Sequence, residues 1–190
     1  MYGLVNQGVQ DLVVQVGGDR LWTEVKQRAG VDVEAFVGMD VYPDAVTERL
    51  VAAASEALGI PAAQVLRLFG KHWILYTGRK GYGPVFDTMG RTLPQFLGNL
   101  DAMHARLSLS MSHLEPPSFG CEQIGPGRLR LAYHSHRNGL APMVLGLLDG
   151  LGELFGLEVR ATQTLSKDDG ADHDEFLIDT QPVQEFAGVR

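Results

Sequence analysis

Hydrophobic positions recur at helical spacing through the first 78 residues of the chain. The first run covers residues 4–16, and the pair Gly17 and Gly18 ends its pattern. Further helices are predicted at about residues 21–29, at 44–58 and from Pro61 to Gly78. This part of the chain therefore reads as entirely helical.

A new helix is predicted from Thr92, after a glycine-rich stretch at residues 79–91 that is typical of turns. Thr92 suits the N-cap, and Gln95 stands three residues later as a capping-box partner. We expect this helix to reach about residue 111. It ends before the prolines at 116 and 117, because a residue that precedes proline resists helical dihedrals.

Beyond residue 117 the pattern changes to the alternation that is typical of strands. Strands are predicted at residues 128–137, 157–165 and 175–178, with a helix at 140–155 between the first two. Such strands with a helix packed across them predict an α+β fold. An N-terminal helical part packs on a C-terminal half with an antiparallel sheet and helices.

Composition narrows the class of protein. A chain of 190 residues with 45% hydrophobic residues suits one domain. The net charge is -7 and the 16 basic residues are scattered, which argues against nucleic acid as a partner. The N-terminal segment has neither a positive start nor an unbroken apolar run, so we expect no membrane association. The single cysteine, Cys121, rules out an internal disulfide, and we predict a cytoplasmic protein.

One histidine stands within an apolar helical stripe. The stripe on the helix from Thr92 consists of Leu93, Phe96, Leu97, Leu100, His104, Leu107 and Met111. An imidazole there is either a hydrogen-bonded core residue or a ligand of a metal or cofactor. The spacing alone leaves both interpretations open.

The segment LRLAYHSHR offers a second candidate site. On a strand, one face carries Leu129, Leu131, Tyr133, Ser135 and Arg137, so it begins apolar and ends in two hydroxyls and a guanidinium. Such a face suits an amphipathic ligand with an anionic end. Haem fits this description, because propionates accept hydrogen bonds from these groups. The alternative is an ordinary edge strand with a mixed face.

The sequence resembles the H-NOX domains, the haem-nitric oxide/oxygen-binding family. The resemblance rests on four segments with their intervals preserved: MYGLVN at the start, NLDAMHARL around His104, PPSF at 116–119, and the Tyr133-x-Ser135-x-Arg137 pattern. It covers nearly the whole chain. It implies a single domain over residues 1–190, with haem b (protoporphyrin IX iron) between a distal subdomain, 1–63, and a proximal subdomain, 64–183.

The resemblance also implies roles for individual residues. His104 matches the proximal ligand of the iron, and Tyr133, Ser135 and Arg137 match the clamp that holds the propionates. Pro117 matches the proline that presses on the porphyrin and distorts it. Leu100 lies on the same helix face as His104, one turn earlier.

The distal side of the haem decides which gas binds. By resemblance, the N-terminal helix lines it with Met1, Leu4 and Val5. Aligning the pair Gly146 and Leu147 puts Met143 where oxygen-binding members have a tyrosine hydroxyl, so this donor is missing. Trp73 opposes that conclusion, since its indole nitrogen is a donor; the alternative for Trp73 is aromatic packing against Met143.

The resemblance thus implies a sensor, not an enzyme. We expect nitric oxide and carbon monoxide complexes at ferrous haem, little stable oxygen complex, and a signal that follows breakage of the bond between iron and His104. The implied partner is a separate histidine kinase or cyclic-dinucleotide enzyme. Two alternatives stay open: a haem-dependent redox enzyme of the peroxidase or oxygenase type, and a haem-free interaction domain.

Overall fold

A computed structural model describes residues 1–183, without the side chains of residues 79–82. The helices and strands, in chain order, are α1 (Gly3–Ala29), α2 (Asp44–Leu58), α3 (Ala62–His72), a π-helical turn (Trp73–Thr77), α4 (Gly78–Thr88), α5 (Leu93–Gly98), α6 (Leu100–Ser108), β1 (Ser118–Gly125), β2 (Arg128–His134), α7 (Ala141–Phe155), β3 (Leu157–Leu165) and β4 (Asp174–Pro182). A short 3-10 turn, Lys167–Asp169, lies between the last two strands.

The predicted α+β fold is confirmed. The four strands form one antiparallel sheet in the order β1-β2-β4-β3. One hydrophobic core is built mainly from α1, α2 and α3. A second core joins α5 and α7 to the sheet. The division at residue 63 stays a prediction.

The two helices expected here are confirmed: α1 consists of two helical segments that meet at a kink at Gly18, where the backbone is not helical. Gly18 has a φ of 72°, a left-handed conformation that glycine adopts without steric cost, and the helix resumes after it. Gly30, with a φ of 61°, then ends α1. α1 has 27 residues. Neither it nor any other helix within residues 1–183 combines the length and apolar character that crossing a membrane needs.

The turn prediction for residues 79–91 is wrong, because α4 runs through Thr88 and includes Pro84. Each glycine inside a helix costs about 1 kcal/mol relative to alanine, so the glycines of this stretch argued against a helix. Tertiary packing overrides that cost. The Phe86 ring packs edge-on against Phe96 of α5, with centroids 5.4 Å apart.

The helix predicted from Thr92 to about residue 111 is two helices. The Thr92 hydroxyl accepts a hydrogen bond from the backbone nitrogen of Gln95, which confirms the cap. At Asn99 the backbone is distorted from ideal helical dihedrals (φ -99°, ψ 0°), and the Asn99 side chain donates to the Met89 carbonyl oxygen at 2.9 Å. That hydrogen bond offers the side chain a partner outside the helix.

The sheet differs from the prediction at its edge. β1 was missed, because Ser118–Gly125 contains glycine, glutamate and glutamine between its apolar positions. In addition, β2 ends at His134, three residues before the predicted end. Beyond it, the Ser135 hydroxyl accepts a hydrogen bond from the backbone nitrogen of Arg137, which turns the chain out of the strand.

Candidate cofactor site

Three adjoining cavities lie between the helical half and the sheet, with volumes of about 210, 230 and 170 Å³. Trp73 and Pro117 line all three. Every residue that the sequence analysis placed at the haem lines at least one of them: Met1, Leu4, Val5, Trp73, Leu100, His104, Pro117, Tyr133, Ser135, Arg137, Met143 and Leu147. We call the cavity of about 210 Å³ the first, that of about 230 Å³ the second and that of about 170 Å³ the third.

His104 lies on α6 and lines the first and second cavities. Its Nδ1 is buried and has no hydrogen-bond partner among the residues that the structure describes. Burial lowers the pKa of His104, against smaller opposing effects of the Asp101 charge and the Pro117 carbonyl group. The imidazole is therefore neutral at neutral pH, the form that binds a metal.

Asp101 ties α6 to the chain around Pro117. Its two carboxylate oxygens accept hydrogen bonds from the Ser118 hydroxyl (2.7 Å) and from the backbone nitrogen of Phe119 (2.8 Å). The ring of Phe119 in turn lies 6.1 Å from that of His104, measured between centroids. The first turn of α6 thus fixes where Pro117 and Phe119 enter the cavity wall.

The predicted clamp residues come together, although not on one strand. Tyr133 is buried in β2, and burial raises its pKa. Ser135 and Arg137 lie past the end of the strand, so their expected position on its face is wrong. The turn after His134 nevertheless brings both to the third cavity beside Tyr133.

Arg137 has partners that the sequence analysis did not foresee. Its Nε donates to an oxygen of the Asp44 carboxylate at 2.7 Å, and its NH1 donates to the Glu115 carbonyl oxygen at 3.1 Å. The other oxygen of Asp44 accepts from the amino terminus of Met1 at 2.7 Å. The sequence identified Asp44 only as the first residue of a helix, because no neighbouring residue linked it to Arg137, which is 93 positions away.

Trp73 contributes to the wall of all three cavities. Its ring packs edge-to-face against Phe69, with centroids 5.8 Å apart, an aromatic partner that was not predicted. Met143 and Leu147 line the second and third cavities with it. In the first cavity, the hydroxyl of Tyr2 accepts a hydrogen bond from the backbone nitrogen of His113.

Close packing of α3 on α7 sets the position of this wall. A Cβ atom at Gly70 or at Gly146 would collide with the backbone of the facing helix. The glycine spacing in α7, at Gly146 and Gly150, therefore allows the close approach of α3. Ion pairs flank the contact, from Arg67 to Asp149 at 2.6 Å and from Lys71 to Glu153 at 2.9 Å.

The chemistry of these walls fits a flat apolar ligand with an anionic edge. The second cavity is lined almost entirely by apolar side chains around one neutral imidazole. Hydroxyl and guanidinium groups border the third cavity. Further lining residues were not predicted, because they lie on elements predicted as turns or not at all, or showed only an apolar character: Phe86, Met103 and Phe119.

The model of one protein family, described as haem-NO-binding, matches residues 2–163. The chain belongs to this haem-NO-binding family. It is 31% identical over 160 residues to the soluble guanylate cyclase gcy-31 of Caenorhabditis elegans, covering 84% of this chain and 23% of that protein. It is 30% identical over 155 residues to gcy-33 of the same organism, covering 82% and 16%. The haem-NO-binding chain thus spans less than a quarter of the length of these relatives.

Solved structures of H-NOX proteins share the fold of this haem-NO-binding chain. The Shewanella oneidensis (S. oneidensis) protein in its Fe(II)NO state has a TM-score of 0.84 at 21% identity, covering 95% of this chain and 99% of that one. Its Fe(II)CO structure has a TM-score of 0.83 at 20% identity with the same coverage. These matches confirm the predicted fold family.

Proposed function

We propose that this chain is a haem-based sensor domain that binds nitric oxide and carbon monoxide at ferrous haem b, with His104 as the protein ligand of the iron. The observation that carries the proposal is that His104 and Arg137 line the same cavity. A neutral imidazole suits a metal, and a guanidinium suits propionates. Membership in the haem-NO-binding family supports the same cofactor.

The holding groups follow from their positions. The Nδ1 of His104 is buried, which leaves Nε2 for the iron, and the Pro117 backbone acts on the imidazole. A metal-bound histidine typically has its other ring nitrogen oriented by such a group. Tyr133, Ser135 and Arg137 would hold the propionates from the third cavity, and Pro117 would press on the porphyrin.

The distal residues support nitric oxide and carbon monoxide over oxygen. Bound haem would supply an iron that binds a diatomic gas. Met143 offers no hydrogen-bond donor at the position where oxygen-binding members have a tyrosine hydroxyl, and oxygen gains from such a donor. Met1, Leu4 and Val5 add apolar surface to the first cavity. The donors that remain on this wall are the indole of Trp73 and the hydroxyl of Tyr2, which accepts from the His113 backbone and can still donate its own proton.

In the signal we propose, His104 would be released from the iron. The start of α6 is held by hydrogen bonds of Asp101 and of the preceding Asn99, so the movement that we expect lies in the part of α6 that carries His104. A separate signalling protein would read the new surface. The resemblance favours a histidine kinase or cyclic-dinucleotide enzyme as that partner, with no reaction catalysed by this chain.

Absorption spectra of the reduced, haem-loaded protein test the gas assignment. We expect a five-coordinate ferrous spectrum that changes to a five-coordinate nitrosyl spectrum with nitric oxide. Air should give no stable oxygen complex. A stable oxygen complex would contradict the distal assignment, and a colourless protein that cannot be reconstituted would support only a haem-free interaction domain.

His104→Gly tests the ligand. We expect haem to be lost unless imidazole is added, because the small molecule can take the place of the side chain. The matched control is Ala105→Gly, which weakens the same helix by about 1 kcal/mol at an exposed position and should keep its haem. Haem retention in His104→Gly without imidazole would exclude His104 as the ligand.

A further inference from the structure

Gly8 of α1 lies directly against the aromatic pair Phe69 and Trp73. A Cβ atom at position 8 would lie 3.0 Å from Cε2 of Phe69 and 3.3 Å from Cε3 of Trp73. Unstrained carbon contacts are about 3.5 to 4.0 Å. The two rings therefore occupy space that is open only because residue 8 has no side chain.

The two rings differ in their freedom to yield. Phe69 is 2% exposed and is enclosed in the first core. Trp73 is partly buried and borders all three cavities. Since the rings touch edge-to-face, a push on Phe69 is passed to Trp73. A larger side chain at position 8 would therefore push the Trp73 ring toward the cavities.

The backbone at Trp73 limits this movement to the ring. Trp73 begins the π-helical turn, and its carbonyl oxygen accepts a hydrogen bond from the backbone nitrogen of Gly78. A Cβ atom at Gly78 would lie only 2.9 Å from that oxygen, which shows how closely the two residues approach. The indole therefore moves while its backbone stays in place.

We propose that Gly8 is a positioning residue that sets how far the Trp73 indole reaches into the first and second cavities, where the gas would bind. Trp73 shares the first and second cavities with His104, so its ring determines the space left for a ligand on the iron. The Gly8 and Trp73 pair is thus a size filter for small ligands. This inference rests on the haem function proposed above.

Gly8→Ala in the haem-loaded protein tests the filter through the rate of carbon monoxide association after flash photolysis. We expect the rate to fall about tenfold, since overpacking by one methyl forces side chains to shift. Ethyl isocyanide, a larger ligand, should be slowed further. The matched control is Gly83→Ala in α4, where a Cβ atom meets nothing within 4 Å and both rates should stay unchanged.

A double variant shows whether the effect passes through Trp73. In a Trp73→Leu background, which removes the indole, Gly8→Ala should change the carbon monoxide rate by less than about twofold. The same fall in both backgrounds would overturn the proposal, as would equal rates for Gly8→Ala and the parent. If Gly8→Ala alone does not fold, Gly8→Ala/Trp73→Leu should fold, and its failure would contradict the assigned contact.

Measurements on the parent protein distinguish a failure of the size filter from a failure of the proposed haem function. A parent without haem or a carbon monoxide spectrum overturns the proposed function and the filter together. A parent that binds carbon monoxide, with a Gly8→Ala rate equal to its own, overturns the filter alone.

Discussion

α5 and α6 follow one another along the chain and were predicted as a single helix, yet the fold treats them differently. α5 buries Leu93, Phe96 and Leu97, and the Phe96 ring packs against two other aromatic rings. α6 has nine residues, all of them described, and none is buried. The division falls at Asn99, where the backbone is distorted from ideal helical dihedrals.

The difference assigns the two helices separate tasks. α5 anchors the segment in the second core, and α6, whose Leu100 and Met103 pack against that core only partly buried, carries His104 at the cavity wall. Elements that move in signalling come from the less stable parts of a structure. The proposed ligand, His104, thus lies on the helix that is less deeply packed.

The largest expected effect is a direct contrast between the two helices. Phe96→Ala in α5 should lower the free energy of unfolding by about 3 to 5 kcal/mol, because it leaves a cavity in a packed core. Leu107→Ala in α6, at a half-buried position, should cost about 1 kcal/mol. Urea unfolding measures both.

The exposed Leu109, with 89% of its surface accessible, is the control for that contrast and should tolerate alanine with no measurable loss. A loss for Leu107→Ala as large as that for Phe96→Ala would remove the distinction between anchored and loosely held helix.

Asp101→Asn should sharpen the comparison by loosening α6 alone. The amide can replace only one of the two acceptor oxygens that bind Ser118 and Phe119, so we expect a loss of about 1.5 kcal/mol. Hydrogen exchange of backbone amides should become faster in α6 and stay unchanged in α5. Equal acceleration in both helices would contradict their independence. Asp87→Asn, at an exposed position in α4, is the control.

The smallest expected effect lies outside both helices, at Asp44. Hydrogen bonding to Arg137 lowers the pKa of Asp44, with burial opposing and the amino terminus adding to the lowering. The carboxylate therefore stabilises the fold above its unfolded pKa, and this contribution is lost as pH falls through the lower folded value. Because Asp44 is 37% exposed, Asp44→Asn should cost only about 1 kcal/mol at neutral pH.

Urea unfolding at several pH values checks the sign for Asp44. The difference between parent and Asp44→Asn should shrink below about pH 4, where the carboxyl group becomes protonated in the unfolded chain. A difference that grows on acidification would show that Asp44 is not stabilised as its carboxylate by Arg137.

Local signals were read correctly where they depend on a few neighbouring residues. The Thr92 cap, the α2 bounds and the β3 bounds all follow from nearby side chains. Predictions failed at α4 and β1, where glycines and polar residues argue against the elements that tertiary contacts stabilise. The residues of the candidate site were predicted from motifs that lie far apart in the sequence. In the structure, all of these residues line three adjoining cavities.

By itself, the sequence determined the α+β class, the Thr92 cap and the bounds of α2 and β3. Periodicity and capping depend on residues that are close together in the sequence, so both can be read from it directly. Only the tertiary structure decided the break at Asn99, the Asp44 contact with Arg137 and the space that Gly8 leaves for Trp73. These features depend on partners distant in sequence, whose approach is set by packing the whole core.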